Sequence, residues 1–257
     1  MYLDKYSLEG RTAFITGGGR GIGLASAEAL LEAGATVVIS DYNAELLASA
    51  RAHLDKAGHK VDCVVLDVTK PGEVAQAAAQ ANSKHGGVDI LIANAGIAWP
   101  DTPGEAIPDE IWNRIIDVDL NGVYWSCREF AKPMLERGFG SIVTLGSMSG
   151  LISNKPQRQA HYNAAKAAVH HLSKSLGGEW AERGVRVNSV APTYVDTPMS
   201  NTSFTDPERF PTWMEMTPMK RVARPDEIAS AILFLASDAS SAITGTTLVV
   251  DCGYTIW

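Results

Sequence analysis

The chain has 257 residues, enough for one large core, and its 46% hydrophobic and 20% charged composition is that of a folded globular protein. A net charge of −7 argues against a nucleic-acid binder, whose footprint is basic, and no apolar run reaches the roughly 18 residues that a membrane span requires. The three cysteines Cys63, Cys127 and Cys252 form no close pair and read as buried free thiols. Asp4 and Glu9 precede the first strand, where a secretory leader does not fit, and the expected compartment is the cytoplasm.

Apolar runs alternate with stretches of helical spacing. The run Ala13-Phe14-Ile15 leads into TGGGRGIG at 16–23, and Ile22, Leu24, Ala25, Ala29, Leu30 and Leu31 then follow a helical period. Thr36 to Ser40 is a second strand, closed by Asp41, and a helix over 44–56 follows. Val61 to Leu66 is a third strand, ending at Asp67, and Pro71 and Glu73 open an alanine-rich helix. Val88 to Ala93 is a fourth strand, followed by Asn94-Ala95-Gly96, and a long helix runs over 109–137. Ser141 to Leu145 is a fifth strand, 160–182 another long helix, Val185 to Val190 a sixth strand and Thr247 to Val250 a seventh.

Most of these strands are apolar throughout, as when helices cover both faces. The pattern predicts an α/β fold: a single-domain, doubly wound Rossmann architecture, with a seven-stranded parallel sheet and helices on both faces. One segment, 193–224, breaks the rhythm. It carries Pro198, Pro207, Pro211 and Pro218 among Met199, Phe204, Phe210, Trp213, Met214, Met216 and Met219. An insertion of this length reads as a substrate lid or binding loop, with a subunit contact as the alternative.

Ligands of such sheets bind at the carboxyl ends of the strands. A glycine turn between strand and helix offers backbone N–H groups and a positive helix end to a pyrophosphate. Gly17, Arg20, Gly21, Ile22 and Gly23 are its candidate cofactor contacts, although the turn taken alone is also an ordinary strand-to-helix connection. Asp41, 18 residues after Gly23, is placed to accept the ribose hydroxyls of an adenosine and to repel a 2′-phosphate, which predicts NAD over NADP. Arg20 pulls the other way, as a potential phosphate contact. Asp67 and Val68 are placed to frame the adenine; for Asp67 a helix cap is the plain alternative.

Tyr162 and Lys166 lie four residues apart, on one face of a helix. A lysine roughly 5 Å from a phenol, at an effective dielectric of about 20, stabilises the phenolate by around 3 kcal/mol. That is about two pKa units off a starting value near 10, enough to make tyrosine a usable base.

With these pieces in place the chain resembles the short-chain dehydrogenase/reductases over nearly its whole length. The matching residues are TGGGRGIG at 16–23, Asp67, NAG at 94–96, Ser147, Tyr162 with Lys166, and Pro192 to Thr197. The resemblance implies that Tyr162 is the catalytic acid/base, that Lys166 lowers its pKa and binds the nicotinamide ribose, and that Ser147 holds the substrate oxygen. It also implies that Asn94 and Gly96 support the cofactor, and that Val195 and Thr197 contact the nicotinamide carboxamide. Two positions depart from the pattern. Asp119 stands where the family carries a catalytic Asn whose backbone carbonyl holds a water beside the lysine, a role that survives the change. Thr193 stands where Pro-Gly is common, so the start of the lid is expected to differ.

The loop between Gly146 and Tyr162 is rich in hydroxyl and amide groups, Ser149, Asn154 and Gln159 among them, which suits a polyol or sugar. The segments GSMSG, TPMKR at 217–221 and the tail from Gly253 to Trp257 resemble the bacterial polyol dehydrogenases of the family, galactitol and sorbitol dehydrogenases in particular. These oxidise a secondary hydroxyl to a ketose. The alternative within enzymes is reduction of a 3-oxoacyl thioester, on acyl carrier protein, or of another ketone. A cofactor-binding regulator without turnover would not need Tyr162. Zinc-dependent chemistry finds no ligand spacing, and the neighbours His170 and His171 read as packing or solvent-facing. The resemblance implies a homotetramer, with the uncharged tail at an interface and its terminal carboxylate a candidate ligand for a structural divalent ion.

Overall fold

A computed structural model describes residues 1–200 and 203–257. Seven strands form one parallel sheet: β1 (Thr12–Thr16), β2 (Thr36–Asp41), β3 (Val61–Val65), β4 (Ile90–Ala93), β5 (Gly140–Leu145), β6 (Val185–Pro192) and β7 (Thr247–Val250). Their order across the sheet is β3-β2-β1-β4-β5-β6-β7. The crossovers diverge from β1, one set stepping outward through β2, the other through β4. The crevice beyond the carboxyl ends of β1 and β4 is therefore the topological switch point, where doubly wound sheets bind ligands.

Helices cover both faces, and alternate residues of each strand serve opposite cores. Ala13, Ile15, Val37, Ile39, Ile90 and Ile92 pack against α1 (Gly21–Glu32), α2 (Ala44–Lys56) and α8 (Pro225–Ala236). Phe14, Val38, Leu91 and Ile142 pack against α3 (Pro71–His85), α5 (Gly122–Arg137) and α6 (Ala160–Trp180). Phe14 and Phe130 meet with ring centroids 4.5 Å apart at the centre of the second layer. Truncating either to alanine removes about 3–5 kcal/mol.

The sequence reading runs a single helix over 109–137. The structure divides it into α4 (Asp109–Ile116), a π turn at Asp117–Asn121 and α5. In that turn the Gly122 N–H bonds the Asp117 carbonyl, five residues back instead of four. Strand β6 runs two residues past its expected end, to Pro192, because β7 pairs with it through Val250. Of the cysteines, Cys127 is buried as expected, whereas Cys63 and Cys252 are half-exposed.

The 193–224 segment, two of whose residues (201 and 202) lie outside the described residues, holds α7 (Arg209–Met216). Its ends are tied together at the base. The Ala223 N–H bonds the Tyr194 carbonyl at 3.0 Å, and the Asp196 N–H bonds the Ala223 carbonyl at 2.9 Å. The segment then leads into α8, which Pro225 opens and the Glu227 carboxylate caps through the Arg224 N–H.

Candidate active site

The glycine turn is built by exclusion of side chains. Gly17 and Gly21 sit at φ +64° and +56°, backbone that L side chains rarely adopt. A Cβ on Gly23 would lie 2.2 Å from the Gly17 carbonyl oxygen, so α1 packs against the turn backbone to backbone. Asn94, at the end of β4, holds the turn from the other side: its Nδ2 donates to the carbonyls of Thr16 and Gly17, both at 2.9 Å. The first turn of α1 carries neither an acidic residue nor a side-chain cap, and its N-cap Arg20 is extended and exposed. Uncapped N–H groups at the start of a twelve-residue helix, beside a backbone with no room for a Cβ, fit a dinucleotide's pyrophosphate.

Asp41 ends β2 and is buried. Its Oδ2 accepts the Gly19 N–H at 3.3 Å and its Oδ1 accepts the Asn43 N–H at 3.1 Å. Asp67 accepts the N–H and hydroxyl of Thr69, at 3.0 and 2.7 Å; the N-cap of α3 is Lys70, so Asp67 shapes the turn before the helix and does not cap it. Val68 is buried against Gly122. Thr197, at the start of the 193–224 segment, lies across from Gly21, where a Cβ would meet its methyl at 3.4 Å, and Val195 is buried and bridged to Ala223.

At the end of β5 the chain turns at Gly146 into Ser147. Helix α6 brings up Tyr162 and Lys166 on one stripe, with the Lys166 Nζ 5.6 Å from the Tyr162 ring centre. Lys166 is buried and donates to the Leu145 carbonyl at 3.0 Å. Its Nζ also stands 3.7 Å from Asp119 Oδ1, which accepts the Ile97 N–H at 2.8 Å. Gly96 closes this group, since a Cβ there would lie 2.7 Å from Asp119 Oδ1 and 3.4 Å from the lysine nitrogen. Asn94 and Gly96 thus connect the glycine turn to the lysine through two residues of backbone.

The electrostatics correct one expectation. Burial raises the Tyr162 phenol above its ordinary pKa, and the Asp119 carboxyl adds to the rise. The Lys166 ammonium and a hydrogen bond with Ser147 pull it down without reversing it. The lysine acts in the expected direction, but desolvation outweighs it in the protein alone. Asp119 is fully buried and also raised, chiefly by burial, against the pull of Lys166 and the Ile97 N–H. Its Oδ2 has no hydrogen-bond partner, so the departure from Asn leaves a half-satisfied carboxyl at the lysine. At the other departure, Thr193, the hydroxyl oxygen is likewise buried without a partner.

The polar loop before α6 proves to be an internal network. Gln159 Nε2 reaches Ser149 Oγ, Asn154 Oδ1 and Asn163 Oδ1 at 3.3, 3.1 and 3.1 Å. The Tyr194 hydroxyl accepts from Asn154 at 3.2 Å and from Gln157 at 2.9 Å. Gln157 in turn accepts the indole N–H of Trp213 at 3.0 Å, and the Tyr194 and Trp213 rings stack 3.5 Å apart. Gln157, Tyr194 and Trp213 are absent from the sequence reading as site residues. Gln157 comes from the loop before α6, Tyr194 from the start of the 193–224 segment and Trp213 from α7 within it, and no local spacing joins them.

His170 is a second omission. It is buried, and its Nε2 accepts the Ser147 N–H at 3.2 Å. A signal was present: Tyr162, Lys166 and His170 follow at intervals of four on one helix face. Among the described residues no group of three or more His, Cys, Asp or Glu side chains is placed to hold a metal ion.

This arrangement, a phenol, a buried ammonium and a serine at a strand end beside a glycine cradle for a dinucleotide, is that of an oxidoreductase using a nicotinamide cofactor. A family model described as enoyl-(acyl carrier protein) reductase matches residues 17–255. A galactitol 2-dehydrogenase of Rhizobium johnstonii is 46% identical over 256 residues, covering 100% of this chain and 99% of its own. Among solved structures, gox2181 superposes with a TM-score of 0.98 at 46% identity, covering 100% of both chains. A gluconate 5-dehydrogenase of Burkholderia cenocepacia, crystallised with NADP and tartrate, gives 0.93 at 36% identity over 100% of both chains. The chain belongs to the short-chain dehydrogenase/reductase family.

Proposed function

We propose that the protein oxidises a secondary hydroxyl of a polyol, of the galactitol or sorbitol type, to the ketose with NAD. The observation that carries this reading is the convergence of Ser147, Tyr162 and buried Lys166 at the end of β5, against the Asn94–Gly96 backbone that holds the glycine turn. The 46% identity to a galactitol 2-dehydrogenase along the full chain supports the substrate class.

In this reading Tyr162 and Ser147 hydrogen-bond the substrate oxygen, and Tyr162 takes the hydroxyl proton. Lys166 stabilises the phenolate, and Lys166 with a water chain past Asp119 returns the proton to solvent. Bound NAD supplies the hydride acceptor and a positive ring charge, which offsets the rise that burial imposes on the phenol. Gly17, Arg20, Gly21, Ile22 and Gly23 hold the pyrophosphate, Asp41 the adenosine ribose, and Asp67 and Val68 the adenine. Asn94, Gly96, Val195, Thr197, Tyr162 and Lys166 line the nicotinamide end. Ser149, Asn154 and Gln159 are the candidate substrate contacts, each exchanging an internal partner for a substrate hydroxyl. The 193–224 segment acts as the lid.

Asp41 favours NAD, because a 2′-phosphate would bring like charge against a buried carboxylate. The test is kcat/KM for a panel of hexitols, pentitols and diols with each dinucleotide. Turnover of a hexitol with NAD is expected. Turnover confined to NADP would overturn the cofactor choice, and activity on 3-oxoacyl thioesters alone would overturn the substrate class. The reading includes a cytoplasmic homotetramer, supported by the exposed apolar Ile256 and Trp257. Removing those two residues, or adding a chelator if the tail holds a divalent ion, is expected to lower the mass measured in solution.

A further inference from the structure

A histidine inside a helix that packs on a sheet is costly unless its ring nitrogens find partners. His170 finds one. Its Nε2 accepts the Ser147 N–H at 3.2 Å, while its Nδ1 is buried with none. An accepting Nε2 carries no proton, so the proton sits on Nδ1. An apolar side chain would spare that orphan donor. It would leave the Ser147 N–H unsatisfied instead.

The surroundings are shaped to the ring. A Cβ on Gly146 would lie 2.2 Å from Nε2, and one on Gly150 would lie 2.8 Å from Cε1. The imidazole thus fills the space between the two glycines that bracket Ser147. From the other side, the Ser147 hydroxyl accepts the Ser149 N–H at 3.1 Å, and Gly146 is pinned by its N–H to the Val190 carbonyl at 2.8 Å.

We infer that His170 is a positioning residue, which fixes the Ser147 backbone and so aims its hydroxyl at the oxygen shared with Tyr162. The inference rests on the role proposed above for Ser147. Burial, with a smaller push from the Lys166 ammonium, brings the imidazole down to about 4, so the acceptor lone pair persists at neutral pH. Tyr162, Lys166 and His170 then divide one helix stripe between them: the first exchanges the proton, the second holds the first, and the third holds the serine.

The experiment is a double-mutant cycle on the full-length protein, with the best alcohol of the panel. His170→Gln keeps an acceptor near the Nε2 position, and His170→Met has similar length without a strong one. His170→Met is expected to lower kcat about tenfold, the scale of one lost buried hydrogen bond, with dinucleotide affinity unchanged. His170→Gln should recover most of that loss. In a Ser147→Ala background, His170→Met should cost nothing further. An equal cost in both backgrounds, or a Gln variant no better than Met, would overturn the inference. If Ser147→Ala is impaired and His170→Met is not, this inference alone fails. If Ser147→Ala keeps full kcat, the reading of the site fails and takes the inference with it. Independently of turnover, the ring ¹⁵N shifts of His170 should report the Nδ1–H tautomer at neutral pH, and the Nε2–H tautomer would contradict the assignment.

Discussion

The two walls of the crevice are made of different material. The dinucleotide side is backbone: Gly17 at positive φ, Gly23 pressed on the Gly17 carbonyl, and main-chain groups held by Asn94 and Asp41. The wall proposed to face substrate is side chain on side chain: Gln157 joins Tyr194 and Trp213, which lie 37 and 56 residues further on. A wall of main chain tolerates almost no side chain where it is tightest, and its N–H groups suit what all dinucleotides share, the Asp41 carboxyl at its edge excepted. A wall of amides and rings can be re-cut one residue at a time while the backbone wall stays as it is.

The sharpest break lies where the walls meet. Tyr162→Phe removes the proposed proton acceptor and should lower kcat by about a thousandfold, with dinucleotide affinity unchanged, as read by stopped-flow turnover and binding titration. Gly23→Ala tests the backbone wall. Its Cβ has only 2.2 Å to the Gly17 carbonyl, so the helix must shift, at about 1–3 kcal/mol of strain, read as weaker dinucleotide binding and a lower Tm. Gln157→Leu tests the other wall. It strands the Trp213 N–H and leaves the Tyr194 hydroxyl with Asn154 alone, and should lower kcat/KM about tenfold through KM with dinucleotide affinity intact. If it weakened the dinucleotide equally, the two walls would not be separable.

The smallest effect lies at the far end of the 193–224 segment. Arg221, doubly hydrogen-bonded at 2.7 Å, and the Arg224 N–H hold the Glu227 carboxyl down to about 2. A lowered folded-state value means that the stabilisation is complete above the ordinary value near 4.5 and is lost as pH falls through about 2. Glu227→Gln should therefore cost about 1 kcal/mol at neutral pH, and the gap from the parent in urea unfolding should narrow as the pH approaches 2.

What was legible in the sequence follows the same division. The parallel sheet, its seven strands and the glycine turn are local: apolar runs, strand ends and spacings of three or four residues disclose them. So too is the Tyr162–Lys166 pair. The net rise of the Tyr162 phenol was not legible, because desolvation depends on what closes over the ring and not on the residue four positions on. The Gln157–Trp213 bond belongs to tertiary structure alone. The polar composition of the loop is legible, whereas the bonds its amides make to each other and to Tyr194 are not. His170 lies between these cases: its spacing was visible, while its partner, a backbone N–H on another element, was not.

The π turn at Asp117–Asn121 has a consequence for insertion and deletion. It holds one residue more than an α-helical turn, so α4 and α5 are out of phase by about 100° relative to a continuous helix. Excising a single residue there would let the ladder close regularly, at a gain in helical regularity, and would screw α4 round by that angle. Ile115, now wholly enclosed, would turn outward, and the carboxyl at 119 would swing off its lysine. Irregularity at this point is thus a phase setting: the chain gives up one turn of good helix to keep two faces aimed in different directions.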